Sequence, residues 1–177
     1  MTGGTDTARS IAKAIPATPL SAETGGKNVI ILTASGDRDH TIMNIVISVF
    51  GNAGQKCSAC SLLLVERSVY EDKNFQKKLI DVATSMKVGS VWNPGNVVGP
   101  MITNKNEKLL QALVLEPGET WLVPPRFIDK KQYILAPTVK WGVKPGSYSF
   151  RTELFGPLLS VACIEDLQEG IDLVNGL

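Results

Sequence analysis

Apolar positions along this chain alternate between short continuous runs and runs with the period of a helix. The apolar run 28–33 lies between glycines and predicts a buried strand. Asp37 is placed to cap a helix whose apolar residues recur at helical spacing, namely Ile42, Ile45, Val46, Val49 and Phe50. Similar patterns predict further strands at 61–66, 119–123, 133–139 and 158–164, and further helices near 75–86, 105–115 and 167–174. Strands and helices that alternate in this way predict an α/β fold with a partly parallel sheet flanked by helices.

Composition and charge exclude several classes of protein but do not identify the function. Hydrophobic residues make up 44% and charged residues 20% of the 177 positions, which is typical of a folded globular domain. The formal net charge of +1 provides no basic surplus, so we expect no binding to nucleic acid or anionic lipid. We also expect no membrane span, which needs roughly 20 mostly apolar residues, and no secretory signal. Three cysteines, an odd number, indicate reduced thiols, and they predict a cytoplasmic location.

Cys57 is the first candidate for chemistry. It lies in the loop 54–60, between a predicted helix and a predicted strand, and a cysteine thiolate there can act as a nucleophile. We expect Lys56 and the backbone N–H groups of the loop to favour the thiolate. For a cysteine taken at random, a buried unreactive side chain is the more frequent case. Cys57 and Cys60 also have the spacing of a redox pair, whereas the remaining cysteine and the single histidine are not spaced as zinc ligands, so no metal site is predicted.

Three further segments are weaker candidates when each is considered alone. Glu23 precedes a predicted strand and by default is a solvated charge, although the glycine pair that begins at Gly25 allows close approach of a ligand. Gly3 and Gly4 could approach a phosphate, but the sequence predicts no strand ahead of them, which such a loop requires. The segment 153–157 reads as a turn before a strand.

Taken together, these segments resemble the aldehyde dehydrogenase superfamily. The motifs are Glu-Thr-Gly-Gly-Lys-Asn at 23–28, Gly-Gln-Lys-Cys-Ser-Ala at 54–59 and Glu-Leu-Phe-Gly-Pro at 153–157, and they occur in the order typical of that superfamily. The 34 residues from Glu23 to Cys57 match the interval between its base and its nucleophile. The resemblance extends over nearly the whole chain and includes 98–100 and 135–139.

Within that superfamily, the chain is most similar to 1-pyrroline-5-carboxylate (L-glutamate γ-semialdehyde) dehydrogenases. The similarity is greatest to the dehydrogenase half of bifunctional proline-utilisation proteins, through the segments 20–23, 53–59 and 117–121. This resemblance implies NAD-dependent oxidation of L-glutamate γ-semialdehyde to glutamate in proline catabolism, with NADP left open as the cofactor. A dehydrogenase for another small or acidic aldehyde is the alternative within the superfamily.

The resemblance also implies roles for the residues that carry the reaction. Cys57 corresponds to the nucleophile that forms a thiohemiacetal and then a thioester, with its own backbone N–H helping to hold the oxyanion. Glu23 corresponds to the base that activates the hydrolytic water, work that suits a partly buried carboxylate. Ser58 resembles the residue that helps to bind the α-carboxylate of the semialdehyde.

A second set of residues is implied on the cofactor side. Glu153 corresponds to the acceptor for the hydroxyls of the nicotinamide ribose, and Phe155 to the residue that packs beside the nicotinamide. Gly3 and Gly4 resemble the start of the loop around the cofactor phosphates, and Thr24 is assigned to the cofactor side with them.

The resemblance implies that the chain is incomplete relative to the family. Residues 1–22 correspond to a remnant of the dinucleotide-binding domain, and residues 23–177 to most of a catalytic domain. We therefore expect the parent enzyme to form homo-oligomers, and the isolated chain to lack turnover and to self-associate through an uncovered apolar face. A folded but non-catalytic fragment, or a thiol redox protein that uses Cys57 and Cys60, remain alternatives from other classes.

Overall fold

A five-stranded sheet is the central feature of a computed structural model of the chain, which describes residues 1–103, 105–129, 131 and 133–177. The strands are β1 (Thr2–Gly3), β2 (Glu23–Thr24), β3 (Asn28–Leu32), β4 (Cys60–Glu66), β5 (Thr120–Val123), β6 (Phe127–Asp129), β7 (Ile134–Leu135), β8 (Thr138–Trp141) and β9 (Leu158–Ile164). The helices are α1 (Thr5–Ala14), α2 (Arg38–Phe50), α3 (Arg67–Tyr70), α4 (Lys73–Ser85), α5 (Glu107–Ala112), α6 (Tyr148–Arg151) and α7 (Leu167–Asn175), with a short 3₁₀ segment at Gly51–Gly54.

The central sheet has the strand order β3-β4-β9-β8-β5. Neighbouring strands are parallel except at the β5 edge, where β5 runs antiparallel to β8. Strands β4 and β9 lie inside the sheet and are buried along almost their whole length, because helices cover both faces. The predicted α/β fold with a partly parallel sheet is confirmed.

Helix α2 forms where the apolar period predicts it. The side chain of Asp37 accepts a hydrogen bond from the backbone N–H of His40 at 2.9 Å and caps the first turn. The five apolar residues that define the period are all buried against the sheet: Ile42, Ile45, Val46, Val49 and Phe50. This helix leads directly into the loop that contains Cys57.

Most predicted elements agree with the structure to within two residues, and two differ by more. The strand predicted at 133–139 is divided into β7 and β8, because Pro137 has no N–H to donate to a continuous ladder. The helix predicted at 105–115 begins later, because Asn106 caps α5 by accepting a hydrogen bond from the N–H of Leu109 at 3.0 Å, and it ends at Ala112.

A charged pair lies inside the fold, where the sequence pattern predicts none. Lys140 of β8 and Glu119 are 2.8 Å apart, and each side chain is 1% exposed. The Lys140 ammonium also donates to the carbonyl of Val114 at 2.8 Å and lies 5.5 Å from the centre of the Trp121 ring. Partners surround both charges, which is what a buried pair requires. Within the part of the chain that the structure describes, no helix is long and apolar enough to cross a membrane.

Candidate active site

The segments 23–28 and 153–157 meet where a glycine leaves room for a carboxylate. A Cβ atom placed on Gly25 would lie 2.1 Å from a carboxylate oxygen of Glu153, so a larger residue here would displace the end of the Glu153 side chain. The two segments are more than 120 residues apart in the sequence. Their contact brings the predicted base motif and the predicted cofactor motif to one place.

The segments 54–59 and 153–157 meet in the same manner. Gly54 has a φ of +70°, and a Cβ atom on it would lie 2.3 Å from the carbonyl oxygen of Gly156. Two requirements therefore select glycine at this position, the left-handed backbone and the close backbone contact. The loop before Cys57 is fixed against the loop that follows Glu153.

Cys57 lies in a tight turn at the start of β4. The N–H of Ala59 donates to the carbonyl of Lys56 at 3.0 Å, which makes Cys57 and Ser58 the two central residues of a β-turn. The side-chain amide of Asn28 donates to the carbonyl oxygens of Cys57 at 2.6 Å and of Ala59 at 3.1 Å. Cys57 and Ser58 are both exposed, as a nucleophile and a substrate contact must be.

A cavity of about 480 Å³ lies where the three motifs meet. Its lining residues are Thr2, Gly3, Gly4, Glu23, Thr24, Gly25, Cys57, Asn106, Lys108, Glu153, Leu154 and Phe155. Every site residue predicted from the sequence is among them except Ser58, which follows Cys57 in the exposed half of the turn. Glu23 is exposed, so the partial burial expected for this carboxylate is wrong for this chain.

The amino-terminal glycines are placed by a strand that the sequence analysis missed. Strand β1 pairs in parallel with β2, with Thr2 opposite Glu23 and Gly3 opposite Thr24, and α1 begins directly after Gly4. Strand β1 contains Gly3 itself and precedes Gly4, so the expectation that no strand lies ahead of these glycines is wrong for Gly4. Two residues are too few to show an apolar alternation, and α1 buries only Ala8, so neither element has a clear signal in the sequence.

Asn106 is a further cavity residue that sequence reasoning missed. Its side-chain amide donates to the carbonyl oxygens of Leu154 at 2.8 Å and of Phe155 at 3.3 Å. Phe155 has a φ of +49°, which is uncommon for a residue other than glycine, and its side chain is 41% exposed. The amide of Asn106 thus helps to hold an aromatic ring at the cavity in a strained backbone conformation.

Lys27, two residues after the cavity residue Gly25, has an unusual pKa. Burial lowers the pKa of Lys27 to about 7, and the opposing attraction of Cys60 and Glu153 only partly offsets this effect. The Lys27 ammonium lies 3.4 Å from the carbonyl oxygen of Ser61. The sequence does not indicate this property of Lys27, because burial of its ammonium depends on residues that are distant in the chain, such as Ser61 and Glu153.

Cys60 has different surroundings from Cys57. It is buried, its thiol donates to the carbonyl of Leu62, and burial raises its pKa to about 11. A thiol held in this state is a poor partner for thiol–disulfide exchange, which disfavours the redox alternative. Among the described residues, no group of three or more histidine, cysteine, aspartate or glutamate side chains could hold a metal ion.

The family model described as "Aldehyde dehydrogenase family" matches residues 1–177. The chain therefore belongs to the aldehyde dehydrogenase family.

Among curated proteins, the chain is similar to two malonate-semialdehyde dehydrogenases. It is 31% identical over 160 residues to that of Listeria innocua and 30% identical over 156 residues to that of Bacillus subtilis. The alignments cover 88% and 86% of this chain and 32% of each relative. The chain thus spans about a third of the length of these relatives.

Solved structures of the family have the same fold. Proline utilization A from Corynebacterium freiburgense matches with a TM-score of 0.90 and 36% identity over 97% of this chain and 18% of that one. A 1-pyrroline-5-carboxylate dehydrogenase from Thermus with bound NAD matches with a TM-score of 0.86 and 27% identity, over 98% of this chain and 35% of that one. An NADP-dependent glyceraldehyde-3-phosphate dehydrogenase from Bacillus halodurans, complexed with NADP, matches with a TM-score of 0.87 and 29% identity, over 99% of this chain and 36% of that one.

Proposed function

We propose that the protein oxidises L-glutamate γ-semialdehyde to glutamate, as part of proline catabolism, with Cys57 as the nucleophile. The observation that carries this proposal is the cavity in which Cys57, Glu23 and Glu153 come together from three distant segments. The nucleophile, a base and a polar group for a cofactor are the parts that aldehyde oxidation requires in one place.

The cavity residues fit the nicotinamide half of a dinucleotide. Gly3 and Gly4 are exposed and line the cavity, so a ligand can approach their backbone closely, whereas Gly25 leaves its space to the Glu153 carboxylate. The Glu153 carboxylate accepts hydrogen bonds from ribose hydroxyls, and the exposed Phe155 ring offers an apolar face to the nicotinamide. The bound cofactor supplies the hydride acceptor. We propose NAD in this role, and NADP is the alternative that the relative complexed with NADP supports.

Each step of the reaction then falls to a side chain of this chain. The thiolate of Cys57 attacks the carbonyl carbon, and backbone N–H groups of the turn stabilise the oxygen as it becomes negative. Loss of hydride converts this thiohemiacetal to a thioester on Cys57. Glu23 takes a proton from the water that attacks the thioester, which releases the acid and restores the thiol.

Ser58 supports an aldehyde that also has a carboxylate. It follows the nucleophile in the turn and is exposed, so its hydroxyl is available to an acidic group on the substrate. Two of the relatives have names that fit this class: malonate semialdehyde has a carboxylate, and 1-pyrroline-5-carboxylate is the cyclised form of glutamate γ-semialdehyde, which has one too. We favour the glutamate semialdehyde because of the 36% identity to proline utilization A. Malonate semialdehyde is the second candidate, on the 31% identity to the Listeria enzyme.

The proposed activity requires more than these 177 residues. We propose that residues 1–22 belong to a dinucleotide-binding domain, that residues 23–177 form most of the catalytic domain, and that the whole enzyme is a homo-oligomer. The pairing of β1 with β2 supports a junction of the two domains beside Glu23. We expect the isolated chain not to oxidise aldehydes, because holding the reactants together contributes roughly 7–11 kcal/mol to such a step. A reducing cytoplasm keeps Cys57 in the thiol form that the reaction needs.

Steady-state kinetics of the whole enzyme test the substrate assignment. We expect kcat/KM, followed by NADH absorbance, to be highest for glutamate semialdehyde, lower for malonate semialdehyde and lowest for propanal. In the Ser58→Ala variant, kcat/KM for the glutamate semialdehyde falls by about 10- to 150-fold relative to propanal, because a hydrogen bond to a charged group contributes roughly 1.5–3 kcal/mol. Equal losses on both aldehydes would show that Ser58 only supports Cys57. A preference for malonate semialdehyde would replace the first candidate by the second.

A further inference from the structure

The nucleophile turn has one peptide whose orientation the turn itself does not fix. In a four-residue turn, the two common types differ mainly by rotation of the central peptide, here the peptide between Cys57 and Ser58. The hydrogen bond from Ala59 N–H to the Lys56 carbonyl closes the turn without involving that central peptide. Another contact must therefore select its orientation.

Asn28 makes that contact. Its single side-chain nitrogen lies 2.6 Å from the carbonyl oxygen of Cys57, which belongs to the central peptide, and 3.1 Å from the carbonyl oxygen of Ala59. Asn28 is the first residue of β3 and lies opposite Cys60 in the sheet, so its backbone is fixed. The two donor hydrogens of one amide can satisfy both carbonyls.

The consequence follows from the geometry of a trans peptide. The carbonyl and the N–H of one peptide point in opposite directions, so a Cys57 carbonyl held at Asn28 turns the Ser58 N–H away from Asn28. The peptide between Ala59 and Cys60 shows the same opposite arrangement of its carbonyl and its N–H. The carbonyl of Ala59 accepts from Asn28, while the Cys60 N–H donates to the hydroxyl of Ser48 at 3.0 Å.

We propose that Asn28 is a positioning residue that locks the Cys57–Ser58 peptide in one orientation. This keeps the Ser58 N–H, a hydrogen-bond donor, directed away from β3 and available to a negatively charged substrate oxygen. In the rotated state, the Cys57 carbonyl oxygen takes that place and repels the same oxygen. The inference rests on the proposed function, because the locked peptide is proposed to assist the addition of an aldehyde to Cys57.

Two reactions of Cys57 separate this role from a purely structural one, and both proceed on the purified 177-residue chain without a cofactor. The first is reversible addition of the chromophoric 4-nitrobenzaldehyde, which has no conjugated alkene: the thiolate attacks the carbonyl carbon, the carbonyl oxygen becomes negative, and that oxygen then takes a proton from water. Its signal is corrected by subtracting that of the Cys57→Ala chain. The second is alkylation by iodoacetamide, followed at Cys57 by peptide mapping, which creates no negatively charged carbonyl oxygen.

We expect Asn28→Ala and Asn28→Asp to lower the rate constant for aldehyde addition by about tenfold, because the negative oxygen forms on the way to the adduct. The alkylation rate should change by less than about twofold, since the thiol remains exposed. The Asp variant keeps the shape of asparagine but lacks the donor, and Asn28→Gln, which keeps the amide, should restore part of the addition. Asn96→Ala is the matched control, because it also removes an amide-to-carbonyl hydrogen bond, to Ser90 at 2.9 Å.

Thermal unfolding of every variant is measured as well, so that only folded variants are compared. Each possible result then either supports or overturns the proposed lock. Unchanged addition in folded Asn28 variants, or equal falls in addition and alkylation, would overturn the lock. A loss of equal size in Asn96→Ala would also overturn it. If the Ala variant does not fold, the Asp and Gln pair decides. Failure of the proposed function looks different, because the Cys57→Ala chain would then add the aldehyde as well as the parent chain.

Discussion

The core of the sheet and the motif cavity hold their polar groups in opposite ways. In the core, the charges of Lys140 and Glu119 are enclosed and fully partnered by protein atoms. In the cavity, Cys57 and Glu23 are exposed, and the bonded groups are the backbone carbonyls around them, such as that of Cys57. A residue whose polar atoms are all used inside the fold has no capacity left for a substrate.

The comparison shows how function can be recognised in this chain. Burial and charge alone would direct attention to the pair at Lys140, which has no access to a ligand. The cavity is distinguished instead by convergence, since glycine contacts at Gly25 and Gly54 and an amide contact at Asn28 join three distant segments. Contacts of this kind hold a reactive group in place and leave its reactive atoms free to contact a substrate.

Breaking the buried pair should produce the largest loss of stability. Lys140→Met leaves the Glu119 carboxylate buried without its counter-charge, and we expect the free energy of unfolding to fall by about 3–5 kcal/mol in urea titrations. The double variant Lys140→Met/Glu119→Leu should recover part of this loss. Lys78→Met is the control, because its pair with Asp39 is exposed and should contribute less than about 1 kcal/mol. Similar losses in the two single variants would contradict the contrast between core and surface.

A methyl group at Gly54 should disturb the cavity more than the same change nearby. In Gly54→Ala, the new Cβ meets the Gly156 carbonyl and the residue keeps a positive φ, so we expect a loss of about 2–4 kcal/mol in the free energy of unfolding. Gly51→Ala is the matched control in the same short helix, since a Cβ there meets nothing within 4 Å. Equal stability of the two variants would show that the loops are not packed as described.

Lys27 should make stability depend on pH in a defined direction. Its pKa of about 7 lies below the usual lysine value, so above pH 7 the unfolded chain binds more protons than the folded one. The free energy of unfolding should therefore rise by about 1 kcal/mol per pH unit from pH 7 to 8.5. Lys27→Met should remove this rise, whereas Lys87→Met, which changes an exposed lysine, should keep it. An unchanged slope in Lys27→Met would contradict the assigned burial.

The sequence predicts those parts of the structure that depend on local patterns. Helix α2 and its Asp37 cap, the buried run of β4 and the order of the three motifs are all visible in the chain, because each depends on near neighbours or on an intact motif. The contacts that complete the site connect distant residues. Asn28 and Cys57 are 29 positions apart, and Asn106 and Leu154 are 48 apart, so no local period indicates them.

The buried Lys140 was missed for a related reason. A lysine at the end of an apolar run normally marks the end of a strand, and the predicted strand stops one residue before it. Its ammonium is accommodated only because Glu119, on the antiparallel side of the sheet, supplies the counter-charge. Which charge is buried thus depends on strand pairing, and strand pairing is not a property of one segment.

Acyl transfer to Cys57 tests the central claim, that the convergent cavity is an aldehyde dehydrogenase site, without any cofactor. An activated ester such as p-nitrophenyl acetate gives the same kind of thioester that aldehyde oxidation forms, because the thiolate displaces p-nitrophenolate at the acyl carbon. We expect peptide mapping of the purified chain to place the acyl group on Cys57, and Glu23→Gln to prolong the life of that thioester by about 100-fold or more. Acylation of Cys60 or Cys163 in preference to Cys57, or a thioester whose hydrolysis does not depend on Glu23, would contradict the account.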